Sequence, residues 1–63
     1  MTIKTIQTAI KSYKARKAQS DQDAIDAIKA GCYEVAARKV AESSAFNGAI
    51  EELEFVLECM EVE

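Results

Sequence analysis

Histidine is missing from this chain. With it go the commonest general base and the commonest metal ligand of proteins. Proline is absent as well, and glycine occurs only twice, at Gly31 and Gly48, so little in the chain opposes helix. Cysteine is confined to Cys32 and Cys59, whose spacing fits neither a metal site nor a redox pair. Both read as reduced, partly buried thiols of a cytosolic protein rather than as a disulfide. No apolar run approaches the roughly 20 residues that a membrane span requires, and no segment has the basic start and greasy middle of a secretory signal. A soluble, cytoplasmic chain is expected.

Each end also lacks charge of one sign. Residues 2–18 carry five basic groups and no acid, whereas residues 46–63 carry six acids and no base. The net charge of -3 therefore conceals a steep gradient. Blocks of opposite charge at the two ends suggest pairing within the fold, pairing between copies, or charged partners.

What is present favours helix. Eleven alanines, together with many Glu, Lys, Ile and Gln, predict an all-α protein. A chain of 63 residues makes one domain, spanning 1–63, at the lower edge of what buries an independent core. The apolar spacing predicts a bundle of three helices, at about 2–18, 22–44 and 48–61, completed by homodimerisation. Thr2 caps the first. Ser20, Asp21 and Asp23 resemble a capping box at the start of the second, and Asn47-Gly48 reads as the turn before the third. The seam of the middle helix is Ile25, Ile28, Cys32, Val35, Ala36 and Val40, with a smaller face of Ala27, Ala30, Ala37 and Ala41. Its period runs through Gly31, which favours one helix there over a turn.

Ile3, Ile6, Ile10 and Tyr13 repeat at steps of three, four and three, and Ile50, Leu53, Leu57 and Met60 repeat identically near the other end. Lys4, Gln7, Lys11 and Lys14 flank the first stripe, and Glu51, Glu54, Glu58 and Glu61 flank the second. Like charges at neighbouring helical positions disfavour a helix by about 0.2–0.5 kcal/mol per pair, and acids near its C-terminal end oppose the dipole. Either water and salt screen the Glu stripe, leaving it a solvated face, or something positive faces it, the basic first helix or a basic partner. Both charged stripes lie on the same rotational side of their seams. Parallel helices would turn them away from each other, whereas antiparallel helices bring them together, aligning Lys4 with Glu61, Lys11 with Glu54 and Lys14 with Glu51. That alignment requires a symmetric dimer or a break at Gly31 that creates a fourth helix, and the dimer is the favoured of the two.

Catalysis has little to build on. Cys32 and Cys59 fall on or beside apolar seams without an orienting base, and successive turns of Glu do not resemble a calcium loop. No enzyme activity, cofactor or metal is expected. The leading expectation is a protein-binding regulator or inhibitor, by analogy of size and composition with phage-encoded inhibitors of host machinery, and a homodimer. Its partner, a protein with a basic surface, would meet Glu51, Glu54, Phe55, Glu58 and Glu61. Phe55 and Val62 lie beyond the Glu stripe, where an aromatic next to carboxylates suits a basic partner or a dimer interface. One alternative is nucleic-acid binding through Lys4, Lys11, Lys14, Arg16 and Lys17. Others are phosphate mimicry by the Glu stripe and a purely structural assembly unit.

Overall fold

The computed structural model describes residues 2–62, the side chain of Val62 excepted. Two α-helices make up nearly all of it. α1 spans Ile3–Lys29 and α2 spans Tyr33–Val62. They fold back on each other as an antiparallel hairpin whose Cα extents are 50 × 14 × 13 Å. The all-α expectation therefore holds, and the three-helix bundle does not.

The difference lies in where the chain turns. Gly31 adopts φ 76°, a left-handed conformation that side-chain-bearing residues avoid. Its N–H donates to the Ile28 carbonyl at 3.0 Å, and the Cys32 N–H reaches back to the Ala27 carbonyl at 2.8 Å. These two bonds form a Schellman motif, which satisfies the last carbonyls of α1 and reverses the chain over Ala30, Gly31 and Cys32. α2 starts at once, the Ala36 N–H bonding the Cys32 carbonyl at 3.0 Å. At the other end of α1, Thr2 acts as the cap, its Oγ1 accepting from the Thr5 N–H at 3.1 Å.

The expected breaks near residues 18–22 and 44–48 are continuous helix. Their polar side chains are used along the helices instead. Lys17 donates to Asp21 at 3.0 Å, Gln19 to Asp23 at 2.8 Å, Gln22 to Asp26 at 3.0 Å and Asn47 to Glu51 at 3.3 Å, all one helical turn apart. With no proline at these places, the backbone can continue.

A single seam joins the helices. Along α1 it runs through Ile6, Ile10, Tyr13, Lys17, Ser20, Ala24 and Ala27. Along α2 it runs through Ala36, Lys39, Ser43, Phe46, Ile50, Leu53, Leu57 and Met60, and every member is buried or half-buried. The alternating steps of three and four are those of a coiled-coil seam. Ile6, Ile10 and Ile50 form its apolar centre, covered by Tyr13, Leu53, Leu57 and Met60. Tyr13 also lies against Phe46, with ring centroids 6.0 Å apart. Nearer the turn the buried residues are small: Ser20, Ala24, Ala27, Ala36 and Ser43. Both expected end stripes thus enter the core except Ile3, which is exposed. Of the seam expected in the middle, only Ala36 is buried, because the turn assigns its two halves to different helices that meet through alanine and serine. In the alanine face only Ala27 is buried; Ala30, Ala37 and Ala41 are exposed.

Candidate functional site

In two antiparallel helices that share a seam, the residues that follow each seam position come to lie on the same side of the hairpin. Two contacts mark that side. Lys14 Nζ stands 3.8 Å from Glu54 Oε2, and Ser43 Oγ donates to Asp21 Oδ1. The Lys and Glu stripes therefore share one face. Their antiparallel pairing is expected between copies or through a break at Gly31 that creates a fourth helix; the chain does break at Gly31, but into two helices, which bring the stripes together within one chain. The pairing is also shifted from the expected alignment, Lys14 meeting Glu54 rather than Glu51. Among the described residues it is the one ion pair within 4.0 Å that joins the two stripes. The same arrangement places the positive N-terminal end of α1, with Lys4, level with Glu58 and Glu61 near the C-terminal end of α2. That opposes the unfavourable charge–dipole interaction of the acids.

Toward the turn the same face changes character. Ile25 and Ile28 follow the seam residues Ala24 and Ala27 just as Lys11 and Lys14 follow Ile10 and Tyr13. On α2, Val40 follows Lys39, and Tyr33 lies one heptad earlier. These four side chains are 47, 52, 56 and 70% exposed for Ile25, Ile28, Val40 and Tyr33, respectively. The face thus runs from charge of both signs toward the chain ends, paired at Lys14 and Glu54, to uncovered apolar surface at the turn. Sequence periodicity marks Ile25, Ile28 and Val40 as apolar but assigns them to the core. Their place on the surface becomes readable only when the seam is counted separately on each side of Gly31.

Of the acidic stripe, Glu51, Glu54, Glu58 and Glu61 are all exposed. Phe55, 66% exposed, stands two residues beyond the seam residue Leu53 and points away from α1. The side chain of Val62 lies outside the described residues. The five bases do not form one patch: Lys4, Lys11 and Lys14 share the face, Lys17 sits in the seam bonded to Asp21, and Arg16 packs over the Tyr13 ring on the other side, 5.7 Å from its centroid. A continuous phosphate-tracking strip is not formed by these five.

Across the middle of the hairpin runs a polar crossing. Ser20 Oγ reaches Glu42 at 3.5 Å, Ser43 Oγ reaches Asp21, and Lys39 bridges Asp23 at 3.7 Å and Glu42 at 3.4 Å. The hydroxyl of Ser43 and then the ammonium of Lys17 hold the Asp21 carboxyl below its ordinary value. No buried side-chain polar atom among the described residues lacks a partner. Cys32 and Cys59, expected to be partly buried, are both exposed free thiols, because the turn and the outer side of α2 carry them out of the seam. Among the described residues no cluster of three potential metal ligands occurs, and no helix is long and apolar enough to cross a membrane. Comparison with family models, curated proteins and solved structures gives no match.

Proposed function

We propose that this chain is a non-enzymatic protein-binding module, a regulator or inhibitor that acts by docking its mixed charged and apolar face against protein. The observation that carries this reading is the uncovered group Ile25, Ile28, Tyr33 and Val40, on the face that also bears the Lys and Glu stripes, with Asp21 and Asn47 between the two. Contiguous exposed apolar surface rimmed by charge is the usual composition of a protein-interaction site. Such a face gives affinity through its apolar part and orientation through its charged part. Phe55, at the edge of the Glu stripe, extends the same surface with an aromatic anchor suited to a basic partner.

A photocrosslinking residue placed at Val40, in cells or in a lysate of the native host, tests the reading against the same residue placed at Ser12 on the opposite face. Protein adducts should form at Val40 and be absent at Ser12. An absence of adducts at Val40, or equal yields at both positions, would overturn it. The mass of each adduct separates a second copy of the chain from a different protein.

A further inference from the structure

The hairpin leaves more surface exposed than a folded chain of its size should. Its accessible area is 4686 Å², against about 4,000 Å² expected for a compact protein of 6.9 kDa. The excess, about 700 Å², is close to the roughly 800 Å² that each partner contributes to a standard interface. An excess of that size is what one interface of ordinary size would cover.

Val35 and Val56, less exposed, lie on the other flank, and the chemistry of the face bearing Ile25, Ile28, Tyr33 and Val40 identifies its occupant. Under a two-fold axis parallel to the long axis of the hairpin, α1 of one copy lies over α2 of the other, and every residue keeps its level. The level of Lys11 is that of Glu51 and Glu54, and the level of Lys4 is that of Glu58 and Glu61. Each Lys stripe therefore meets the other copy's Glu stripe. Closer to the turn, Ile25 meets the other copy's Val40, and Ile28 meets its Tyr33. Charge opposes charge toward the chain ends and apolar surface covers apolar surface toward the turns, with Asp21 and Asn47 at the levels between. With the turns at opposite ends, the same face would set lysines over Ile25 and Ile28, desolvating charge against apolar surface without pairing it. Only the arrangement with both turns at one end is self-complementary.

We propose that a second copy of this chain docks on the face bearing Lys11, Ile25, Ile28, Val40 and Glu54, forming a symmetric four-helix bundle with both turns at the same end. This rests on the binding-face reading above and names the occupant. Isologous contacts of this kind close after two copies, and all neighbouring helices then run antiparallel. Phe55 remains outside the interface.

Sedimentation equilibrium of the purified chain from about 1 to 200 μM tests the stoichiometry. A dimer is expected, and a monomer throughout would overturn the proposal. Spin labels on native Cys32, with Cys59→Ser, test the arrangement. Labels within about 25 Å, the width of two helix layers, support it. A separation approaching the 50 Å hairpin length overturns it. Val40→Asp, at a position exposed in the hairpin, should raise the dissociation constant at least about tenfold with helicity retained; an unchanged constant counts against the face. Should the chain stay monomeric while Val40 crosslinks to a different protein, the homodimer fails and the protein-binding reading stands.

Discussion

Gly31 and Gly48 are the same residue type in opposite circumstances. A Cβ at either would meet no atom within 4 Å, so packing does not separate them. Backbone conformation does. Gly31 sits at φ 76°, whereas Gly48 lies in the interior of α2. Gly31→Ala should therefore cost about 1–2 kcal/mol, the left-handed penalty, and Gly48→Ala should stabilise by about 1 kcal/mol through helix propensity. Urea melts of the two variants should shift in opposite directions. Asp21 supplies a second expectation at this scale. Its carboxyl is held below its ordinary value in the folded hairpin, by Ser43 first and Lys17 second. A depressed carboxylate contributes its stability in full above the unfolded value and loses it as pH falls through the folded one. Melting temperature should thus drop on acidification below about pH 4, and Asp21→Asn should flatten that dependence.

The two helices are zipped by one seam with two textures. Around Ile10 and Ile50 it is built from large side chains, and around Ala27 and Ala36 from small ones. Ile10→Ala should cost about 2–4 kcal/mol by leaving a cavity, whereas Ala27→Leu should cost about 1–3 kcal/mol by forcing the helices apart. Thermal melts followed by circular dichroism would measure both. The apolar end of this seam is legible from the sequence, since Ile6, Ile10 and Tyr13, and Ile50, Leu53, Leu57 and Met60, repeat at helical spacing, although Ile3 of the same repeat is exposed. Handedness makes the antiparallel sense of the charged stripes legible too. The alanine end is not. Ile25, Ile28 and Val40 outweigh neighbouring alanines in any reading by hydrophobicity, yet close approach of two helices selects the smaller residues. Ser20 and Asn47 mislead for a related reason. The groups that cap a helix end also bridge one helical turn, and no local signal tells which use they have.

For the whole molecule, a hairpin with one buried seam is a marginal fold by itself. A second copy would add burial only in the folded state, so stability should depend on protein concentration. The melting temperature should rise with each tenfold increase in concentration, and Val40→Asp should remove that rise. Raising salt should lower the wild-type value at fixed concentration, because exposed Lys–Glu pairing is screened. Within the chain the acidic stripe has a positive neighbour at one position, Lys14 at Glu54. Lys4 and Lys11 make no such pair within 4.0 Å among the described residues, and they are the lysines the dimer would use.

The midpoint turn and the distant apolar cluster together set an order of events in folding. Contacts beside Gly31 are the cheapest to close, but alanine and serine return little for closing them. The contacts that return most, between the regions of Ile10 and Ile50, close a loop of about 40 residues before any gain is realised. Zipping from the turn therefore climbs in free energy until it reaches the isoleucines. Folding should be slower than the local topology of a helical hairpin suggests. Substitutions at Ala27 and Ala36, whose contacts are already made on that climb, should slow folding, while those at Ile10 and Ile50 should chiefly speed unfolding.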